Sequence, residues 1–324
     1  MTPAPGGVRI LDLEPPASDF LQQVVAGLSA SPRTLPSKFF YDARGAELFQ
    51  QISELPEYYI TRTETAILRE HGAEMAESIG ANAELVGFGT GAGFKTRVLL
   101  RHLENPIAYV PVDISKQRLI DSAVELMAEM PALQILPVCA DYLQPIRLPT
   151  PSRTPEHVAV YFPGSTIGNL EPDVARGFLR RVCALCGRSG GLIIGVDLQK
   201  PRDILEAAYN DTAGVTAAFN INLLVRANRE LGADFNLSCW RHRAIYNDEV
   251  GRIEMHLVSE RDQTVNVGGE PFEFAAGEKI ISEFSYKHTP AGFAELAASA
   301  GFRLSRTWTD PQQLFAVFHF VVAE

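Results

Sequence analysis

The sequence predicts an α/β protein: a doubly wound, Rossmann-like sheet joined to a second, α+β domain. Three observations lead there. From about residue 84, short apolar runs (ELVGF, AYVPV, LQILPV, HVAVYF and GLIIGV) alternate with the amphipathic stretches KTRVLLRHL, SKQRLIDSAVELMAEM and EPDVARGFLRRVCALC. Runs of that length bounded by helical patterns read as buried strands, and strand–helix alternation gives a parallel sheet with helices on both faces. A glycine-rich loop joins the first run to the first helical stretch. The alternation then breaks in two places, which calls for a second domain.

The first break is the N-terminal region, where DFLQQVVAGLSA, AELFQQI and TRTETAILREHG show helical spacing. The second begins with ILEAAYNDTAGVTAAFNINLLVRANREL, which reads as one long helical pattern. HRAIYN, RIEMHLVSE, QTVNV and KIISEFSYK follow as strands, and the GRI and GGEPF turns between them point to antiparallel hairpins. PAGFAELAASAGF is then a helix, and RLSRTWT and LFAVFHFVV are strands returning to the sheet. The resulting partition is a sheet domain at 63–198 and 287–324, with a cap domain at 9–62 and 199–286.

Composition sets the outer bounds. A chain of 324 residues, 46% apolar, has enough material for a substantial core and for two domains. The formal charge of −10 argues against nucleic acid or an anionic membrane surface as partner. No run approaches the roughly 18 apolar residues of a membrane span. The opening MTPAPGGVRILDLEPPAS lacks a basic-then-apolar leader pattern, so a cytoplasmic location is expected. Four cysteines are too few for a disulfide framework in a chain this long. Cys183 and Cys186 form a CxxC within an amphipathic run, but Cys139 and Cys239 stand apart and the histidines show no HExxH spacing. The pair reads as small buried helix residues, and no metal is expected. Nothing resembles a heptad or a long apolar edge, so a monomer is expected.

The loop LVGFGTGAGFKTR carries the first functional signal. Gly89, Gly91 and Gly93 follow a strand and precede a helix, where a backbone free of side chains and a helix N-terminus favour close approach of a ligand. The spacing is GxGxG, not the GxGxxG of the dinucleotide fingerprint. Asp113 ends the second strand, close to the roughly 20-residue offset of an acid that holds a ribose diol. Asp141 ends the third strand beside Tyr142, placed to accept from an adenine amino group. Each aspartate alone reads as a turn or helix cap. Together, on consecutive strand ends, they favour an adenosine ligand. Without a P-loop lysine–serine pair, S-adenosyl-L-methionine fits better than ATP, and Lys95 would face its carboxylate or simply be a solvated helix lysine.

FFYDARGAELFQQISELPEYY, GTGAGFKTR, YVPVDIS, FPGSTIGNLEP, AAYNDTAGVTAAFNINLL, RIEMHL and SEFSYK occur in that order. Together they resemble the L-histidine Nα-methyltransferases of ergothioneine biosynthesis, from about residue 35 to 320. The resemblance implies a S-adenosylmethionine-dependent methyltransferase domain and a second domain that binds the amino acid. It implies that Gly89, Lys95, Asp113, Asp141 and Tyr142 hold the methyl donor. It implies that Tyr58, Asn169 and Tyr209 hold the carboxylate and amine of the substrate, Tyr58 being chosen over its neighbour Tyr59 by pattern, and that Gly164 is a further substrate-binding residue. Glu283 and Ser285 would grip the imidazole, Met255 would pack on the ring, and Tyr41 would line the methyl-transfer end together with Asn169.

The chemistry agrees with this residue set. Methyl transfer from a sulfonium to an amine needs alignment and a neutral amine, not a strong base, so no His–Asp or Ser–His constellation is required. Glu283 and Ser285 alternate along a strand and so share a face, as a two-point clamp on an imidazole needs. An exposed strand of polar residues would show the same spacing. Two positions depart from the family pattern. Gly87 stands where an acid usually opens the loop, and Ile60 replaces a proline after the tyrosine pair. The rival readings are a methyltransferase for another amino acid such as tryptophan, and a silent protein that binds S-adenosylmethionine or histidine without chemistry.

Overall fold

Ala83–Phe88, buried along its whole length, lies at the middle of the main sheet in the computed structural model, which describes residues 1–13, 18–89 and 93–323. The chain divides into two units: residues 1–15, 63–198 and 288–324 form the first, and residues 16–62 and 199–287 the second.

In the first unit the strand order across the sheet is Thr2–Pro3, Arg9–Asp12, Val138–Cys139, Ala108–Asp113, Ala83–Phe88, His157–Phe162, Gly191–Asp197, Phe315–Val322 and Phe302–Thr309. From Arg9–Asp12 to Gly191–Asp197 every pairing is parallel, and Phe315–Val322 runs antiparallel to both its neighbours. The chain builds outward from Ala83–Phe88 on one side, then crosses back to His157–Phe162 on the other. The sheet is therefore doubly wound and Rossmann-like, with its order reversing between those two strands. Ligands of such sheets bind beyond the carboxyl ends of the strands at that reversal.

The helices follow from their spacing. Lys116–Glu129 buries Leu119, Ile120, Ala123 and Leu126, one stripe of a 3.6-residue repeat. Pro172–Cys186 starts with proline at its first position, has Asp173 in its first turn and stops at Gly187, whose φ of +65° no ordinary side chain favours. Its Phe178 and Leu179 are fully buried in the same apolar cluster as Val86, Val110 and Val160, each contributing roughly 1.5–3 kcal/mol. The Cys183 and Cys186 thiols donate to the carbonyls of Gly301 and Gly191, and burial pushes the Cys186 thiol up to about 12.

Three expectations are corrected. Residues 9–15, assigned to the cap, belong to the sheet unit, because Arg9–Asp12 pairs in parallel with Val138–Cys139. LQILPV is two short strands, Gln134–Ile135 and Val138–Cys139, with Pro137 (which has no N–H to give a ladder) between them. The long helical pattern after residue 202 is two helices, Arg202–Ala207 and Val215–Leu231. The Asp211 carboxylate accepts from the N–H groups of Val215 and Thr216, both at 2.8 Å, and Gly214 sits at φ +74°, so a new helix starts where continuation was expected.

The second unit holds a three-stranded antiparallel sheet in the order Lys279–Tyr286, Arg252–Ser259, Trp240–Asn247. A separate hairpin, Gln263–Val267 with Glu270–Phe274, turns through Gly268 and Gly269, both at positive φ. Ala43–Glu54 packs on Val215–Leu231, and Phe40 stacks on Phe219 at 4.5 Å between centroids. Among the described residues, no helix is long and apolar enough to cross a membrane.

Candidate active site

The sheet unit gathers the residues assigned to the methyl donor at the reversal of strand order. Gly89 directly follows the central strand at φ +57°, and its N–H donates to the Val112 carbonyl at 3.0 Å. A Cβ there would stand 3.7 Å from the Tyr142 ring, so the glycine keeps an open backbone surface against an aromatic face. Tyr142 in turn rests on Phe88, Phe162 and Phe178, with centroids 5.4 to 5.9 Å away. Asp113 accepts from the Ser115 N–H and Asp141 from the Leu143 N–H, both at 2.9 Å. The turn-cap reading therefore holds for one oxygen of each, and the same turns fix both half-buried carboxyl groups at their strand ends. Gly91 lies outside the described residues.

Lys95 lies in the first turn of the helix Phe94–Leu100, and its ammonium pairs with the Glu64 carboxylate, which is 0% exposed. Both Glu64 oxygens also accept from the Gly164 N–H, at 3.0 and 2.9 Å. Gly195 makes room for this carboxylate: a Cβ on it would lie 2.2 Å from Glu64 Oε1. Gly164 has φ +80° and Ser165 φ +57°, two successive left-handed residues just after His157–Phe162. For Ser165 that conformation costs roughly 1–2 kcal/mol. It is held by the Asp197 N–H donating to Ser165 Oγ at 2.9 Å. This turn leads into Thr166–Asn169 and sets Asn169, half-buried, on the same unit as the donor residues.

Gly87 is buried in mid-strand, opposite Pro111 and Tyr161. A buried carboxylate does stand at this switch point, but Glu64 supplies it. Nothing in the spacing of TRTETAIL marks Glu64: it lies on the apolar face of a helix, where an acid is uncommon without a partner.

The second unit gathers the rest. Tyr58 is 8% exposed, with its ring 6.3 Å from those of Phe49 and Tyr209. Tyr59 is turned to another task, its hydroxyl accepting from Lys200 at 2.8 Å. Tyr41 is half-buried and packs edge-on against Phe49 and Phe219, at 5.6 and 5.9 Å. Ile60, at the departure from the family pattern, is buried. Met255 is buried directly across the sheet from Glu283. Ser285 is buried and Glu283 half-buried, so their shared strand face is not an exposed polar one. Desolvation pushes the Glu283 carboxyl up to about 7, while the nearby Lys287 cation pulls the other way. Tyr209 donates through its hydroxyl to Ser285 Oγ at 2.9 Å. Lys287, buried as well, donates to Ser285 Oγ at 2.7 Å and to the Tyr209 hydroxyl at 3.1 Å. Tyr209, assigned to the substrate's carboxylate and amine, is thus also tied to the residues assigned to its ring.

Comparison with known proteins gives this residue set a family. Residues 20–322 match the model of the histidine-specific, SAM-dependent methyltransferases. The chain belongs to that family. Within this methyltransferase family it is 42% identical over 296 residues to the histidine N-alpha-methyltransferase of Mycolicibacterium smegmatis, covering 90% of this chain and 91% of that one. Identity to the histidine N-alpha-methyltransferase of Mycobacterium tuberculosis is 39% over 295 residues, 89% and 90% of the two chains. The ergothioneine biosynthesis protein 1 of Neurospora crassa is 30% identical over 86% of this chain, which spans 32% of that longer protein. Sequence reasoning did not single out Glu64 or Lys287, the buried charges that contact the assigned residues Lys95, Gly164, Tyr209 and Ser285. Lys287 had a faint signal, being the last residue of SEFSYK, two positions beyond Ser285 and so in phase with it.

Proposed function

We propose that the chain transfers methyl groups from S-adenosyl-L-methionine to the α-amino nitrogen of L-histidine. Three transfers give Nα,Nα,Nα-trimethylhistidine (hercynine) for ergothioneine biosynthesis. The protein acts as a cytoplasmic monomer, with the sheet unit binding the methyl donor and the second unit the amino acid. One observation carries the choice of histidine within the family: Glu283 and Ser285 share a shielded strand face, with Met255 buried opposite.

The donor residues fit their ligand. Gly89 leaves backbone open beside the Tyr142 ring for an adenine, Asp113 and Asp141 present carboxylates at consecutive strand ends, and Lys95 offers a cation for a carboxylate. When bound, S-adenosylmethionine supplies an electrophilic methyl carbon on a sulfonium. Charge is dispersed as a neutral thioether leaves, so this chain's residues have to align the acceptor, not generate a strong nucleophile. Alignment alone is worth up to roughly 7–11 kcal/mol of barrier. Tyr58, Asn169 and Tyr209 hold the substrate's charged end, Gly164 is a further substrate contact, and Asn169 with tyrosine hydroxyls, Tyr41 at the methyl-transfer end, orients the amine lone pair while its proton passes to water. Glu283 and Ser285 take the two ring nitrogens. A ring lacking those partners leaves buried polar groups unpaired and is rejected by on the order of 10⁴-fold.

The test is to incubate the protein with S-adenosylmethionine and each common amino acid, and to weigh the products. Growth of histidine by one, two and three methyl masses is expected. Growth of tryptophan or another amino acid instead, or binding with no product at all, overturns the reading.

A further inference from the structure

We infer that Lys287 is a positioning residue for substrate selection: it locks the Ser285 hydroxyl as a hydrogen-bond donor, so that the clamp takes only a ring with a bare nitrogen facing Ser285 and an N–H facing Glu283. The inference rests on the histidine reading and adds a residue which that reading does not use.

The geometry is a closed triangle within the second unit. Lys287 is 3% exposed and its ammonium has three donors and no acceptor, so it can only give. It gives to Ser285 Oγ at 2.7 Å and to the Tyr209 hydroxyl at 3.1 Å. The third side, 2.9 Å long, joins the two hydroxyls. A phenol is the more acidic of the two, and the structure assigns Tyr209 as its donor. Ser285 Oγ then accepts twice, which uses both lone pairs and leaves its proton as the one thing it can offer, while Tyr209, its own proton spent on Ser285, meets the substrate's charged end by accepting from the amine. A water or a neutral side chain in place of Lys287 would not impose this, because either can turn round and accept. A buried cation cannot.

The direction of that single proton sets what the site reads. Glu283 lies two residues before Ser285 on the same strand face, with Met255 opposite. A carboxylate at one edge accepts an N–H, and a serine forced to donate at the other edge needs a lone pair. Neutral imidazole offers one of each. A pyrrole ring of the same size carries the N–H but no bare nitrogen, so the Ser285 proton would be left buried without a partner. Lys287 thus converts a hydroxyl, which by itself can match either kind of atom, into a reader of one kind.

The experiment uses the full chain with Lys287→Met, which keeps the buried stem and removes the charge. Three readouts are taken: kcat and KM for histidine, the inhibition constant of β-(pyrrol-2-yl)alanine, and binding of S-adenosylhomocysteine by calorimetry. The expected result is a rise of about tenfold or more in the histidine KM, a far smaller change in kcat, and unaltered S-adenosylhomocysteine binding. The preference for histidine over the pyrrole analogue should shrink by about tenfold, because Ser285 can then turn its proton to Tyr209. A raised KM with the preference unchanged would mean a merely structural lysine, and unchanged kinetics would mean no role; either overturns the inference. If Lys287→Met does not fold, Tyr209→Phe removes the other donor to Ser285 and should relax the same preference; an undiminished preference there overturns it too. Failure of the wild-type protein to methylate histidine would instead sink the parent reading.

Discussion

Glu64 in the sheet unit and Lys287 in the second unit are both buried charges, held in opposite ways. Glu64 meets an opposite charge on Lys95 and a backbone amide at Gly164. Lys287 meets two hydroxyls, and burial pushes the carboxyl of the acid that senses it, Glu283, up to about 7. The first arrangement is closed around Glu64: both its oxygens have partners, and it ties together the segments that follow two adjacent strands of the sheet. The second is polarised, spending donors on Ser285 so that its proton points elsewhere. A charge that anchors a loop and a charge that aims a hydroxyl call for different partners.

The largest effect is expected at Glu64. Glu64→Ala leaves the Lys95 cation and the Gly164 amide without their partner, and breaking a buried pair from one side costs about 3–5 kcal/mol. At roughly 2–4 °C per kcal/mol, the thermal midpoint should fall by about 10 °C. Thermal unfolding checks this, and a variant as stable as the parent would show that the closed arrangement anchors nothing.

Next in size, Glu283→Ala should raise the histidine KM by about 100-fold, the loss of a charged hydrogen bond to the ring, while S-adenosylmethionine binding stays the same. Steady-state kinetics at saturating donor decide it; unchanged histidine kinetics would remove Glu283 from the clamp.

The smallest effect concerns stability and pH. A carboxyl raised from 4.5 to about 7 binds its proton more tightly when folded. Its favourable contribution is complete below about pH 4.5 and is lost as pH rises through about 7. Above that, the ionised group costs at most about 3 kcal/mol, less because Glu283 is only half-buried. Glu283→Gln, neutral throughout, should therefore gain stability relative to the parent as pH climbs from 5 to 8. Denaturant titrations across that range test it, and parallel stability curves would argue that the carboxyl is not desolvated.

Much of the sheet unit was legible in order. ELVGF, AYVPV, HVAVYF and GLIIGV became the strands Ala83–Phe88, Ala108–Asp113, His157–Phe162 and Gly191–Asp197, because parallel strands covered on both faces are apolar along their length. Arg9–Asp12 was missed since RILD is too short and mixed to stand out, and its partner Val138–Cys139 is distant in sequence. The helix break at Asp211 was written in NDTAG, but the apolar period ran on through it and masked the cap. At the site, Tyr58 and Tyr59 could not be told apart by pattern. The structure separates them, one ring beside Tyr209 and the other hydroxyl on Lys200.

By itself, the sequence determined the run of strands and helices, the glycine loop, the aspartates at the strand ends and the alternation of Glu283 with Ser285, because these follow from spacing along one element. Which distant groups the buried charges meet is set by the fold: Glu64 with Lys95 and Gly164, Lys287 with Tyr209. Partners 31, 100 or 78 residues apart leave no periodic trace. Electrostatic contact depends on distance in space, and folding alone sets that distance.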